Sequence, residues 1–333
     1  MSRWTVAAIA AVLLVAQSAA AAPRGSGVTP EGNPVGGTPA AAAPAPTPRP
    51  TPPAPPPPTP LEGLVITARP AAPPIDTVSG FVADVSAQSA NGRLARWDRK
   101  ICPGVIGLKE PYGQQMIDRI ALIATTIGLQ VGDPGCKPNL IIVATDDSQA
   151  MVKLLVDRNP TAFGKWEDGI TRGRAALADF IETPRPVRWW HVTHVTLADG
   201  QTYTRGSQVL IRQVGRVRGT SRDNFDHVII MIDVSQVGVI RFSALADYVA
   251  MVGLAQVDPQ TDPSGVPSVL NLFSARDKGA PPPIGLTGWD VAYLQALYSV
   301  DANVNKGDRQ ANRIVRDMAT RLGASPPSDE DTE

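Results

Sequence analysis

The sequence predicts a mixed domain, α+β or α/β, with a twisted mixed sheet and packed helices over residues 76–324. Three observations carry this: apolar residues recur at helical spacing in several segments, short continuous apolar runs lie between them, and glycine, proline and asparagine or aspartate signals separate the two. No internal repeat is visible, so a solenoid is not expected, and a stretch of this length holds one large core or two small ones.

Met116, Ile117, Ile120, Ile123, Ala124 and Ile127 fall at helical spacing, and Gly128 is placed to stop that helix. Leu140-Ile141-Ile142-Val143-Ala144 is a buried strand. Asp147 caps a helix carrying Met151, Leu154 and Leu155, which must end before Pro160. A further helix covers Ile170 to Ile181. Arg188 to Leu197 alternates as a strand, Asp199-Gly200 signals a turn, and Tyr203 to Val214 is its expected hairpin partner. Val228 to Ile232 is another buried strand, and Phe242 to Leu254 a helix.

In Leu286-Thr287-Gly288-Trp289-Asp290-Val291, Thr287 caps a helix, Asp290 bonds back to it and Leu286 packs on Val291 as a hydrophobic staple. The last helix carries Ala311, Ile314, Val315, Met318 and Leu322 on one face and stops at Gly323.

Outside the domain the composition changes. Arg3, the apolar run Val6 to Val15 and the small residues Ser18 to Ala22 form a signal-peptide pattern over 1–22, so the chain is expected to be exported; an uncleaved anchor is the alternative. No later segment has the apolar length of a membrane span, so no membrane insertion is expected after cleavage. Residues 23–75 form a leader rich in Pro, Ala and Thr; fifteen of the chain's 33 prolines lie at 23–60, a composition that cannot bury a core. Fully extended, 23–60 would reach about 120 Å, which suits a spacer in an envelope layer as well as a solubilising tail. The acidic end, 325–333, is expected to be a solvated tail.

Formal charge is zero, with 31 basic and 31 acidic side chains, so net field indicates neither nucleic acid nor an anionic membrane. Arg205, Arg212, Arg216, Arg218 and Arg222 form a local basic stretch, expected as the solvated face of a hairpin because it lacks interleaved aromatics. Cys102 and Cys136 are the only cysteines, and in an oxidising compartment they are expected to form one disulfide around a helix. A catalytic thiol is the alternative, but Pro103 and the turn Asp133-Pro134-Gly135 flank the pair and no histidine is near in sequence.

The run Leu286 to Tyr298, with Leu-Thr, an Asp, then Leu and Leu-Tyr, resembles the C-terminal helix of metzincin zinc proteases. Ser268-Val269-Leu270-Asn271-Leu272 is similar to that family's turn beneath the metal, with Leu270 where its methionine would stand. Ala246 to Leu254 has the Gly-Leu ending of its active-site helix. The resemblance covers roughly two thirds of the domain, as pattern more than identity, and extends to secreted bacterial proteins of unknown function with altered metal sites. It implies a metzincin-like fold in which residues near 186–225 are a hairpin insertion.

The same register implies lost chemistry. A zincin helix needs two histidines four apart and a glutamate beside the first, so that one ion and its water face one carboxylate. Here the histidine positions are Ala246 and Ala250, the glutamate position is Asp247 and the third ligand position is Gln256. The two alanines are expected to face a cleft above Ser268 to Leu272. No metal ligand, catalytic residue or cofactor is assigned. The chain's histidines are His191, His194 and His227. His191 and His194, three apart in a strand pattern, point to opposite faces and would share an ion only if the segment were a turn or helix, so a structural role beside Trp189 and Trp190 is expected.

Two functions follow. One is an exported, non-catalytic binding or structural protein on a protease-like scaffold, with an unknown protein or peptide partner in the cell envelope. The other is a secreted or periplasmic hydrolase with an unidentified site, the candidate carboxylates being Asp146, Asp147 and Asp157.

Overall fold

A computed structural model describes residues 72–87, 92–164, 171–197, 221–304 and 306–324. The signal-like segment, the proline-rich stretch at 23–60, the turn at Asp199-Gly200, the expected strand Tyr203 to Val214 and the acidic tail lie outside the described residues.

In chain order the elements are α1 (Ile75–Val85), β1 (Pro103–Ile106), α2 (Glu110–Thr126), β2 (Leu140–Thr145), α3 (Ser148–Arg158), α4 (Arg174–Glu182), β3 (Val187–Leu197), β4 (Ser221–Asp233), the single turn α5 (Val234–Val237), α6 (Phe242–Leu254), α7 (Leu272–Asp277), α8 (Gly288–Ser299) and α9 (Gly307–Leu322). Short 3₁₀ turns cover Pro160–Phe163 and Val269–Asn271. Among the described residues four strands lie in the order β1-β2-β4-β3; β1, β2 and β4 are parallel and β3 is antiparallel to β4.

Strand alternation divides the interior in two. Leu140, Ile142, Ile230, Ile232 and Trp189 face a core shared with α1, α2, α6, α8 and α9, while Ile141, Val143, Ile229, Met231 and Trp190 face a second core under α3, α4 and the Pro160 turn. Burial on both faces explains why the central strands are continuous apolar runs with no polar phase.

Several local expectations hold. Asp147 caps α3 through Ala150 N, Gly128 and Gly323 take positive φ just past α2 and α9, and Thr287 and Asp290 form the expected capping box on α8. Cys102 and Cys136 are bonded, closing a loop that carries α2.

One expectation falls on residues outside those described: the pairing of the 188–197 strand with Tyr203 to Val214. Among the described residues β3 pairs with β4, from Val187↔Ile232 to Leu197↔Ser221. The apolar run at 228–232 is only the half of β4 that also pairs with β2; the polar half, from Ser221 to His227, continues past the parallel sheet with β3 alone. The described parts of 186–225 are thus strand β3 and the polar part of β4, both in the sheet.

Candidate functional site

Helix α6 spans the expected residues, and every side chain from Ala244 to Leu254 is buried. Its setting differs from the expected cleft. Ala246 and Ala250 are 1% and 0% exposed and belong to the core that packs on the sheet. Gly253, two turns beyond Ala246 on the same helical face, lies so near the sheet that a Cβ there would sit 3.0 Å from Leu140 Cδ1 and 3.4 Å from Ile230 Cδ1. The two alanines and the glycine thus let α6 lie close to the strands, and the positions expected to face a cleft are closed. Small side chains make that close approach possible; two imidazoles would prevent it.

Asp247 lies one residue around the helix and is equally buried. The Arg119 guanidinium from α2 pairs with it through Nε to Oδ1 and through Nη2 to Oδ2 at 2.9 Å, and Leu286 N donates to Oδ2 at 2.8 Å. The bond to Asp247 pushes the Arg119 guanidinium above its ordinary range. Each of these bonds is internal to the protein, so the carboxylate is a structural clamp between α6, α2 and the start of α8. Gln256, expected at the third ligand position, is also used structurally: its Oε1 accepts from Ala95 N at 2.7 Å.

The turn at Ser268 and the cap of α8 are one hydrogen-bonded unit. Asp290, fully buried, accepts from Ser268 Oγ at 2.6 Å, Val269 N at 2.8 Å and Thr287 N at 2.8 Å. Burial pushes its carboxyl up, and these donors pull it back.

The histidines are not brought together. His191 Nε2 meets Val252 O at 2.9 Å and its ring packs on Phe225; burial pushes its pKa down to about 4. His194 sits beside Arg99, and burial followed by that neighbour's charge lowers it too. His227 lies between Asp226 and Ala162 O. Asp146 and Asp157 are exposed, and Asp147 is spent on its helix cap, so the three carboxylates considered for a hydrolase form no shared site. Among the described residues no group of three or more His, Cys, Asp or Glu side chains could hold a metal ion, and no helix is long and apolar enough to cross a membrane.

A recess lies elsewhere, and sequence reading missed it. Residues 93–97 run beside β4, with Arg96 N donating to Asp223 O at 3.3 Å and Phe225 N to Arg96 O at 2.9 Å. Buried glutamines hold this segment from behind: Gln256 at Ala95, and Gln310, whose Oε1 accepts from Leu94 N at 2.7 Å. Between the segment, β4 and the C-terminal end of α8 is a cavity of about 680 Å³, lined by Arg96, Trp97, Asp98, Arg222, Tyr298 and Arg321 among others. Its one sequence signal is the run Arg93-Leu94-Ala95-Arg96-Trp97, where arginines alternate with apolar residues that must be buried.

No family model, no curated protein and no solved structure matches the chain.

Proposed function

We propose that this chain is an exported, non-catalytic binding or structural protein, built on a metzincin-like frame that has lost its zinc ligands and serving a protein or peptide partner of the cell envelope. The observation that carries the reading is the closure of α6: Ala246 and Ala250 are packed in the core, and the Asp247 carboxylate is neutralised by Arg119. A carboxylate held in this way has no access to a substrate or a water. The order of α6, the Ser268 turn and the capped α8 supports the metzincin-like reading. The signal-like pattern at 1–22 and the Cys102–Cys136 disulfide support export, since such bonds persist in oxidising compartments.

The test is elemental analysis of the purified full chain together with a broad peptide-cleavage panel. The expected outcome is less than a tenth of a zinc per chain, on the order expected of an adventitious ion, and no cleavage above a blank. One tightly bound zinc per chain overturns the proposal. Cell fractionation checks export: a processed chain outside the cytoplasm is expected, and a full-length cytoplasmic chain overturns that part.

A further inference from the structure

We propose that the cavity beside the 93–97 segment binds a small anionic ligand, whose carboxylate or phosphate group lies between the guanidiniums of Arg96 and Arg222. This rests on the reading that the chain binds rather than cleaves, and it adds where and what it binds.

Charge is the first argument. The described lining holds three arginines, Arg96, Arg222 and Arg321, against one aspartate, Asp98. Two of these charges are already paired: Arg321 with Asp317, while it also donates to Gln295 Oε1, and Asp98 with Arg99 at 3.6 Å, while it accepts from Asn224 Nδ2 at 2.6 Å. Arg96 and Arg222 have no carboxylate in salt-bridge range among the described residues.

The second argument is hydrogen bonding. Arg96 is only 8% exposed, and its Nη1 donates to Leu297 O at 2.7 Å and Val300 O at 2.6 Å at the end of α8. Those bonds fix the guanidinium plane, while Nε and Nη2 donate to no acceptor among the described residues. Of the donors on these two arginines, Arg222 Nε is the one buried with no acceptor among the described residues. Buried donors of charged groups are costly to leave unmade, and two planar forks facing one recess suit the paired oxygens of a carboxylate or phosphate. Burial depresses Arg96, Tyr298 and the Asp301 carboxylate oppose that, and the Arg222 charge adds to the depression.

Shape is the third. Arg96 opposes Asn224 in a bridge between the 93–97 segment and β4, and Arg222 shares Asn224's side of that strand. Trp97 and Tyr298 supply aromatic surface to the same recess. The volume is that of a small-molecule site, and the charge is concentrated in a recess instead of spread along a stripe, which disfavours a nucleic acid.

Calorimetric titration of the full chain with inorganic phosphate and, separately, with citrate tests the proposal, each against chloride at matched ionic strength. Saturable one-to-one binding of either probe is expected; phosphate alone points to a phosphate-bearing ligand, citrate alone to a carboxylate. Arg222→Gln should weaken binding by about tenfold or more, the effect of one lost charge-assisted hydrogen bond, with the unliganded melting temperature unchanged. Arg96→Gln, checked for folding by circular dichroism, should weaken it at least as much. The proposal is overturned if neither probe binds above the chloride control, or if Arg222→Gln binds as the parent does. The zinc measurement is independent of this cavity, so either reading can fail alone.

Discussion

The Arg119 guanidinium on α2 and the Asp247 carboxylate on α6 meet in a two-point ion pair in which the carboxylate side chain is 2% exposed and the guanidinium 35%. The asymmetry sets the consequence of breaking it. Asp247 has traded its hydration for Arg119 and one backbone donor, Leu286 N, whereas Arg119 keeps a route to solvent.

Arg119→Met is therefore expected to destabilise the protein by about 2–3 kcal/mol, below the figure for a wholly buried pair because the arginine is partly solvated. Arg119→Met with Asp247→Asn, which removes the stranded charge, should recover part of that loss. Urea unfolding of the parent, single and double variants measures both effects. A single-variant loss under about 0.5 kcal/mol would show that the pair does not hold α6 to α2.

His191 predicts an acid-sensitive fold. Its folded pKa is depressed to about 4, below the ordinary value near 6.5, so the unfolded chain binds the proton more readily. Its contribution is present in full above pH 6.5 and is lost as pH falls from there toward 4, on the order of 3 kcal/mol across the window. His191→Gln, whose amide can still donate to Val252 O, should flatten stability against pH between 6.5 and 4.5. An unchanged slope would mean that His191 is not the group responsible; the carboxylates of Asp226 and Asp233, held below the usual carboxylate range, lose their contributions at lower pH.

What was legible in the sequence is mostly local. The bounds of α6, the Asp147 cap, the Thr287 and Asp290 box and the stop at Gly323 depend on residues within a turn or two of one another. The disulfide was legible because only one pairing exists. Strand β1 was not: four residues beginning with Pro103, all only half-buried, carry no alternation. The β3–β4 pairing was hidden by the polar half of β4, where Arg222, Asp223, Asn224 and Asp226 obscure a strand that continues into an apolar run. Periodicity also cannot tell a helix lining a cleft from one buried on all sides, since both are apolar along Ala244 to Leu254, and so the closure around Ala246 and Ala250 had to come from the packing. The cavity was least legible, because Arg96 and Arg222 meet only through the sheet.

The Cys102–Cys136 bond closes a loop with a sequence separation of 34 that holds all of α2, and with it Arg119. Replacing both cysteines with serine should lower stability by about 3–4 kcal/mol. Intact mass of unreduced protein after thiol alkylation should show no added groups. Two added groups would mean that both thiols are free, and the stability claim would fall with the bond.

The last prediction concerns building a zincin ligand set into α6. In a functional zincin, histidines at 246 and 250 would share an ion; here Ala246→His and Ala250→His place imidazoles where the chain leaves room for methyl groups. Both sites are at most 1% exposed, and a Cβ at Gly253 on the same face would already crowd Leu140 and Ile230. Each imidazole would either push α6 off the sheet or be buried without partners, a cost of about 3 kcal/mol or more per site. The pair together should leave little folded protein, and Gln256→His would add the loss of the bond that holds Ala95. Soluble yield, circular dichroism and zinc content decide the matter together. A folded triple variant that binds one zinc would show that α6 lines an accessible site after all, and the core reading of the helix would then be abandoned.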